Sequence, residues 1–372
     1  MAGIYIHIPF CKQACHYCNF HFSSNHSKMN EMIDAIVLEA TLNKNYLTEQ
    51  VETIYFGGGT PSLCKPSDIE KIILQIKQLF VVVDTVEITL ETNPDDITED
   101  NLISWKQAGI NRLSMGTQSF ADEDLQWMNR AHNSQQSIES ILLIQQHFSN
   151  LTIDLIYGTP TLSNEQWIKN IDTALLLNIP HISCYALTVE PKTALEKLIE
   201  KNKLQNVDAE KQAIQFEILI DKLHAAEYEH YEISNFAKPN FRSKHNSSYW
   251  QGKQYLGLGP SAHSFNGISR QWNIANNALY LKSIEQNTVP FEIEMLTKEQ
   301  QLNEYVMTSL RTMEGISLNY IQQKFGEKEM LCLLNEAEKF IKNQTIKNHN
   351  NSIILTAKGK FLADGIAADL FV

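Results

Sequence analysis

The chain has 372 residues, of which 43% are hydrophobic and 20% charged, and its formal net charge is −12. This composition is typical of a globular protein with two or three domains. The negative charge argues against a protein that binds nucleic acid through bulk electrostatics. No apolar run approaches the roughly 18 residues that a membrane-spanning helix needs, and no targeting peptide precedes the first predicted strand. Six cysteines, three of them clustered, fit a reducing compartment, so a cytoplasmic protein is expected.

Three cysteines follow the first predicted strand with the spacing C-x3-C-x2-C, at Cys11, Cys15 and Cys18. Three thiolates on one loop can bind three irons of a [4Fe–4S] cluster. The fourth iron would then stay open to a substrate or cofactor, as in catalytic metal sites. A zinc site and a disulfide are the alternatives. The nearby histidines that could complete a zinc site are His7, His16, His21 and His26.

Short β-rich runs alternate with helical stretches from residue 1 to about 235. The predicted strands cover residues 3–8, 53–56, 85–90, 112–115, 152–156 and 181–186. Helical periodicity is present over residues 30–44, 67–79 and 208–227. Strands that alternate with helices predict an α/β fold with a parallel sheet. The regular alternation favours a partial (β/α)6 barrel with its site at the C-terminal strand ends, and a doubly wound open sheet is the competing architecture.

Glycines and polar residues lie at the ends of these strands. Residues 57–60, Gly-Gly-Gly-Thr, follow the second strand; glycines let a backbone approach a ligand closely, although a tight turn gives the same pattern. Glu91 follows the third strand, where a carboxylate could bind a ribose diol or an ammonium group. Gln118 and Arg130 follow the fourth. Asp154 lies within an apolar strand, where a carboxylate is costly unless paired, so it either faces a ligand or pairs with Arg130.

Together these motifs resemble the coproporphyrinogen oxidase branch of the radical S-adenosylmethionine (SAM) superfamily, over nearly the whole chain. That branch contains the oxygen-independent coproporphyrinogen III oxidases and the HemW-type haem chaperones. The resemblance implies that the three cysteines bind a [4Fe–4S] cluster and that SAM fills its open iron position. The residues implied to contact this SAM are Tyr5, Gly58 and Glu91. The residues matching the oxidase's second SAM site are Gly59, Thr60, Gln118, Arg130, Asp154 and Ala186.

Two departures and one further motif favour the chaperones over the oxidases. The oxidase has another cysteine two residues beyond its third, where this chain has Phe20. The oxidase also carries a leader segment before its first cysteine, and since Cys11 lies near the start of this sequence no such leader is expected here. Residues 245–250, His-Asn-Ser-Ser-Tyr-Trp, resemble the HNxxYW motif that is implicated in haem binding by HemW-type proteins. His245 is thus a candidate haem ligand, since histidine is the commonest one, and His263 is a second. A surface turn over packed aromatic rings is the alternative interpretation.

The predicted organisation has three parts: a barrel over 1–235, a connecting segment over 236–290 and a small helical domain over 291–372. In the last segment, residues 297–311 form an amphipathic helix, 353–356 a strand and 357–370 a final helix, a winged-helix-like pattern. Its nine Lys and Arg against eleven Asp and Glu give a charge of −2. A DNA-binding domain needs a basic face, so a lid or partner-docking module is the preferred interpretation.

The expected function is that of a haem-binding radical SAM protein, a chaperone that delivers haem to acceptor haem proteins. Its expected cofactors are a [4Fe–4S] cluster, SAM and haem. The resemblance implies membrane respiratory enzymes as acceptors, and hence peripheral docking at the inner face of the membrane. The alternative function is an oxygen-independent coproporphyrinogen III dehydrogenase, which oxidatively decarboxylates propionates. The sequence leaves open whether SAM is cleaved, how many SAM molecules bind and whether the chain forms a homodimer.

Overall fold

The computed structural model describes residues 1–371. Its main sheet has twelve strands: β1 (Ala2–Ile8), β2 (Val51–Gly58), β3 (Val82–Thr92), β4 (Arg112–Gln118), β5 (Leu151–Tyr157), β6 (His181–Ala186), β7 (Glu229–Glu232), β8 (Asn235–Ala237), β9 (Tyr255–Leu258), β10 (His263–Phe265), β11 (Ser269–Asn273) and β12 (Phe291–Met295). A second sheet has three: β13 (Ile316–Ser317), β14 (Ile346–His349) and β15 (Ser352–Leu355).

The helices connect and cover these strands. They are α1 (Met29–Leu42), α2 (Pro66–Leu79), α3 (Glu99–Gln107), α4 (Asp122–Trp127), α5 (Ser134–His147), α6 (Asn164–Leu176), α7 (Ala194–Glu200), α8 (Ala209–Ala225), α9 (Lys244–Trp250), α10 (Asn277–Glu285), α11 (Lys298–Leu310), α12 (Leu318–Lys324), α13 (Glu327–Lys342), α14 (Ala357–Lys360) and α15 (Ala363–Asp369).

The first six strands are parallel neighbours in the order of the chain, β1 to β6. A doubly wound sheet would instead reverse its strand order at a switch point. The sheet is therefore wound in one direction, which confirms the partial (β/α)6 barrel. Each of the six predicted strands lies within an observed one.

The alternation of side chains in β1 explains how the sheet is covered. Ile4, Ile6 and Ile8 are fully buried in the main hydrophobic core, together with residues of the surrounding helices. Tyr5 and His7 alternate with them and face the barrel interior, where the Tyr5 ring stacks on another strand's tyrosine. Successive side chains of a strand point to opposite faces, so an apolar outer face and a polar inner face follow from this sequence.

The segment 236–290 contributes more to the sheet than its predicted role as a connection. β8 pairs with β6 at one edge of the six parallel strands, and β9 pairs in parallel with β1 at the opposite edge. Strands β10, β11 and β12 extend this second side as antiparallel neighbours. Consequently residues 291–295, expected within the terminal domain, belong to the main sheet.

The remaining C-terminal residues have a hydrophobic core of their own, which runs from Leu302 to Leu370. The element order α11-β13-α12-α13-β14-β15 matches the expected winged-helix-like pattern. Helix α11 begins after Thr297, whose hydroxyl accepts the N–H of Gln300 while the Gln300 side chain accepts the Thr297 N–H, a capping box. The single helix predicted over 357–370 is divided into α14 and α15, and α15 contributes Ala363, Ile366 and Ala367 to this core.

No helix within residues 1–371 is long and apolar enough to cross a membrane.

Candidate functional site

A cavity of about 410 Å³ opens at the C-terminal ends of the barrel strands. Most of the residues singled out in the sequence line it: Cys11, Cys15, Cys18, Gly58, Gly59, Thr60, Glu91, Gln118, Arg130, Asp154 and Ala186. Tyr5 lies deeper in the barrel, with its hydroxyl 3.1 Å from Nδ1 of His7. His245 lies elsewhere. The position of this cavity agrees with the rule that barrel sites occupy the C-terminal strand ends.

The three cysteines lie on the loop after β1, and all three side chains are half-buried. Lys12 anchors this loop through ion pairs to Asp95, at 2.9 Å, and to Asp96. These carboxylates follow β3, so the loop is fixed across the mouth of the barrel.

The four neighbouring histidines hold the backbone of this region rather than pointing to a common centre. Nε2 of His26 lies 2.9 Å from the Cys11 carbonyl oxygen, and Nε2 of His7 lies 2.9 Å from the His21 carbonyl oxygen. Nδ1 of His16 bonds the Trp127 carbonyl oxygen at 3.0 Å, and His21 bonds an Asn side chain on α10. Within residues 1–371, no three His, Cys, Asp or Glu side chains are placed to hold a single metal ion. Among these described residues the histidines and cysteines are therefore not arranged as a four-ligand zinc site.

The guanidinium of Arg130 lies beside the thiols. Nη1 of Arg130 lies 3.2 Å from Sγ of Cys15. Burial raises the pKa of Cys11 to about 11, and a hydrogen bond with Thr60 opposes that rise. Burial also raises the pKa of Cys18. Thiolates bind metal and thiols do not, so a cation bound here would deprotonate these groups, and Arg130 would stabilise the resulting charge.

The Gly57–Gly59 run is explained by packing as well as by ligand approach. A Cβ on Gly57 would lie 2.9–3.2 Å from the Tyr5, Tyr55 and Glu91 side chains, and one on Gly59 would lie 2.4 Å from the Phe10 carbonyl oxygen. The Gly59 N–H donates to the Ile8 carbonyl oxygen at 2.9 Å, and the next N–H donates to that of Phe10 at 2.7 Å. These donors thus join the end of β2 to the cysteine loop and are not free for a ligand.

Glu91 faces the cavity from the end of β3 and is held from below by Tyr55, whose hydroxyl donates to Oε1 at 2.7 Å. Burial raises the pKa of Glu91 to about 7, the nearby Asp154 adds to the rise, and hydrogen bonds from Tyr55 and the Gly58 N–H oppose it. Burial likewise raises the pKa of Asp154 to about 6, opposed by Ser183 and two arginines. A cationic ligand that entered here would favour the charged form of both carboxyl groups.

Arg130 does not form the ion pair with Asp154 considered from the sequence. Its Nη2 donates to the Asn93 side chain at 2.5 Å and to the Gly116 carbonyl oxygen at 2.8 Å, besides the contact of Nη1 with Cys15. Asp154 instead faces the cavity, which is the other alternative. The backbone of Gln118 adopts φ 65°, a conformation that non-glycine residues rarely occupy and that clusters at functional sites.

Two residues that support the site were not singled out as functional. Tyr55 positions Glu91, and Asn93 joins Arg130 to Thr60, whose Oγ1 lies 3.3 Å from the Asn93 amide nitrogen. Tyr55 stands two residues before the glycine run, so the alternation of β2 places it on the same inner face. That spacing was the signal by which it could have been found.

The HNxxYW segment forms helix α9, which closes the N-terminal end of the barrel. The Glu87 carboxylate accepts the backbone N–H groups of Lys244, at 3.3 Å, and His245, at 3.1 Å. His245 also contacts Thr53 near the start of β2. Thr53 lies five residues before Gly58, which corresponds to roughly 17 Å along a strand. The motif and the cysteine loop therefore lie at opposite ends of the barrel strands.

The imidazole of His245 is buried, and both of its nitrogens have partners. Nδ1 lies 2.8 Å from Oγ1 of Thr53, and Nε2 lies 2.9 Å from the Tyr249 hydroxyl. Burial lowers the pKa of His245 to about 3, so the ring is neutral. The ring also stacks on Tyr55, with centroids 4.8 Å apart. Since Tyr55 bonds Glu91, α9 supports the floor of the cavity.

The other end of α9 contacts the C-terminal domain. The Arg311 guanidinium lies 5.2 Å from the Trp250 ring centroid. Arg311 also pairs with Glu232 of β7, at 2.9 Å, and with Asp364 of α15, at 3.0 Å. Barrel, α9 and terminal domain therefore meet at this arginine.

Comparison with known proteins agrees with this arrangement. The model of the radical SAM superfamily matches residues 5–174, and that of the HemN C-terminal domain matches residues 296–362. A protein named heme chaperone HemW from Bacillus subtilis is 33% identical, and the alignment covers 98% of each chain. A protein of the same name from Mycobacterium tuberculosis is 30% identical over 99% of this chain and 94% of its own.

Among solved structures, the coproporphyrinogen III oxidase HemN from Escherichia coli, a radical SAM enzyme, superimposes with a TM-score of 0.85. The match covers 100% of this chain and 90% of that one at 21% identity, which shows a shared fold. By its full-length similarity to proteins named heme chaperone HemW, the chain belongs to the HemW family of the radical SAM superfamily.

Proposed function

We propose that the protein is a haem chaperone that binds a [4Fe–4S] cluster, SAM and haem, and delivers haem to acceptor haem proteins. The observation that carries the proposal is the convergence of Cys11, Cys15 and Cys18 with Glu91 and Arg130 in one cavity, in a chain whose full-length relatives are named heme chaperone HemW. The acceptors include membrane respiratory enzymes, which the protein would meet at the inner face of the membrane.

The residues at the cavity have distinct proposed roles. The three thiolates hold the cluster, which would supply one-electron reduction of SAM when both are bound. Glu91 pairs with the positively charged end of SAM. Tyr55 holds the Glu91 carboxylate in place through the 2.7 Å hydrogen bond. Arg130 donates toward Cys15 and stabilises the negative charge that accumulates on ligating thiolates.

Haem binding needs apolar contacts with the flat porphyrin ring, and aromatic side chains line the cavity. Phe20, Phe22 and Tyr185 contribute to its lining, and Phe20 is 66% exposed. Covering an exposed aromatic side chain with another flat ring removes apolar surface from water and is therefore favourable. Phe20 also stands where the oxidases have a further cysteine, which favours the chaperone. Ligation of the haem iron by His245 stays a prediction, and it requires that the hydrogen bonds to Thr53 and Tyr249 break.

The second candidate is a coproporphyrinogen III dehydrogenase. It is favoured by the residues that match the oxidase's second SAM site, since Gly59, Thr60, Gln118, Arg130, Asp154 and Ala186 all line the cavity. These residues also suit a chaperone that binds one SAM molecule and uses the remaining space otherwise.

One experiment separates the two functions. Anaerobically purified, cluster-loaded protein is titrated with haem, and the same sample is assayed for conversion of coproporphyrinogen to protoporphyrinogen with SAM and a reductant. We expect a saturable Soret shift and no conversion. Conversion without haem binding above an albumin control would overturn the chaperone and establish the enzyme.

A further inference from the structure

Strand β12 forms one free edge of the main sheet. Within residues 1–371 it pairs only with β11, on its inner side, and ends the strand order there. All five of its side chains, from Phe291 to Met295, are exposed. An exposed sheet edge presents unpaired backbone groups to which another strand can add.

The hydrogen-bond pattern shows which backbone groups are free. The Pro290 carbonyl oxygen accepts from Ile274, and the Leu296 N–H donates to Ile268, both on the β11 side. Residues of an antiparallel pair alternate between bonded and non-bonded positions. The even-numbered residues of β12 therefore bond β11, and the N–H and C=O groups of the odd-numbered residues 291, 293 and 295 point outward.

The side chains of β12 alternate in chemistry as well. Phe291, Ile293 and Met295 are 45%, 55% and 63% exposed, and they lie on one face. Glu292 and Glu294 lie on the other. The cation opposite Glu294, Arg270 of β11, pairs with Glu304 of α11 at 2.6 Å, and Glu294 itself accepts a hydrogen bond only from the uncharged Gln300 side chain of α11, at 3.1 Å, among the contacts of residues 1–371. The two edge carboxylates thus present negative charge to an incoming strand.

A second copy of this chain is a poor occupant of the edge. Only the odd-numbered residues can bond outward, so a self-paired antiparallel strand must place odd residues opposite odd residues. Glu292 and Glu294 would then always oppose glutamates of the other copy. Like charges directly opposite each other destabilise a strand pair. A strand with basic residues at alternate positions has the reverse effect.

We propose that β12 is a docking edge for an extended segment of another protein in which apolar residues alternate with Lys or Arg. The segment adds to the sheet through the outward backbone groups of residues 291, 293 and 295. Its apolar side chains cover Phe291, Ile293 and Met295, and its basic side chains pair with Glu292 and Glu294. This surface lies outside the cavity, and the proposal does not depend on haem binding.

The test uses the full chain and a fluorescent heptapeptide of alternating valine and lysine, capped at both ends. Binding is followed by anisotropy, and protection of the β12 amides by hydrogen exchange. The key variant is Ile293→Pro, which removes one outward N–H but no bond to β11, and proline is tolerated at such edge positions. Ile293→Thr keeps the N–H and serves as the matched control. The double variant Glu292→Lys, Glu294→Lys reverses the charge.

We expect the peptide to protect the amides of residues 291, 293 and 295 from hydrogen exchange. Ile293→Pro should weaken peptide binding about tenfold or more, roughly the effect of 1.4 kcal/mol. Ile293→Thr should bind the peptide within a few-fold of wild type. The double variant should prefer a valine–glutamate peptide. Three results would each overturn the proposal. They are equal binding of a peptide with the same composition in non-alternating order, no protection of the β12 amides by the peptide, and protection of these amides by self-association of the wild type at neutral pH. Unchanged thermal melting of all variants serves as the folding control.

Discussion

The side chains of Thr53 and His245 are joined by a 2.8 Å hydrogen bond between Oγ1 and Nδ1, 192 residues apart in the chain. This bond fastens the HNxxYW helix to the start of a barrel strand. Because Tyr249 occupies the other ring nitrogen, the histidine serves in this structure as a support for the barrel interior. Its stacking on Tyr55 connects the motif to Glu91 in the cavity.

His245→Ala should therefore lower the stability of the protein. The change removes buried ring contacts and leaves the Thr53 and Tyr249 hydroxyls without a partner, and we expect a loss of about 2–4 kcal/mol in the free energy of unfolding. Urea denaturation measures it. His263→Ala is the control, since His263 is exposed on β10, and it should change stability by less than about 0.5 kcal/mol.

The same variant tests haem ligation. If His245 binds the iron, haem must open α9, so hydrogen exchange of residues 244–250 should rise on haem addition and the Soret band should differ in His245→Ala. We expect both changes from the motif. An identical Soret band together with unchanged exchange would move the ligand to another residue, with His263 the next candidate.

Cluster loading should depend on all three loop cysteines. Each of Cys11→Ala, Cys15→Ala and Cys18→Ala should abolish the broad absorbance near ~400 nm that is typical of cysteine-ligated iron–sulfur centres. Cys332→Ala, a change at an exposed cysteine of α13, should leave iron and sulfide content unchanged. Full iron and sulfide in the triple variant would contradict the assignment, and stoichiometric zinc in the wild type would favour the alternative metal.

Glu91 should set both the strength and the pH dependence of SAM binding. Glu91→Ala removes one or two charge-assisted hydrogen bonds at about 1.5–3 kcal/mol each, while the cluster stays intact. Because burial raises the pKa of Glu91 to about 7, the carboxylate is charged above that pH, and wild-type affinity should fall as the pH is lowered through 7. Calorimetry from pH 6 to 8 measures this. Glu91→Gln should lose the pH dependence near pH 7 and keep only the part near pH 6 that Asp154 contributes, whereas Glu190→Gln, at another carboxylate lining the cavity, should keep both parts.

A second buried carboxyl group should make folding stability depend on pH. Glu39 of α1 accepts hydrogen bonds from the Gly259 N–H at 2.7 Å, the Asn273 amide at 2.6 Å and the Tyr280 hydroxyl at 2.6 Å. Burial raises its pKa from 4.5 to about 7, against those hydrogen bonds. The folded state thus binds a proton more tightly than the unfolded state. Its contribution is present in full below pH 4.5 and is lost as the pH rises through 7.

The pH-dependent part attributable to Glu39 is on the order of 3 kcal/mol. Glu39→Gln cannot ionise, so its free energy of unfolding should decline less between pH 5 and pH 8 than that of the wild type. Urea titrations at several pH values compare the two slopes. Parallel pH profiles would show that Glu39 has the same pKa in both states.

Short-range patterns in the sequence determined the barrel strands and the contents of the cavity. The alternation of Ile4, Ile6 and Ile8 with polar residues predicts a strand with one buried face, because side chains of a strand alternate between two faces. The cysteine spacing and the strand-end residues are likewise local signals. Parallel strands bring their C-terminal ends to one side of a sheet, so residues distant in sequence were expected together, and Cys11, Glu91 and Asp154 line one cavity.

Only the tertiary structure decided where the remaining segments lie. Strand β9 pairs with β1, and α9 packs against Thr53 and Glu87. Both arrangements depend on contacts between residues more than 150 positions apart, which no local pattern encodes. For that reason the residue types of the HNxxYW motif, which suit a haem ligand, did not predict its position. The motif lies at the N-terminal end of the barrel strands, and both ring nitrogens of its histidine are hydrogen-bonded. The N–H groups of Gly59 and Thr60 could suit a ligand equally well, but the approach of the cysteine loop gives them backbone partners instead.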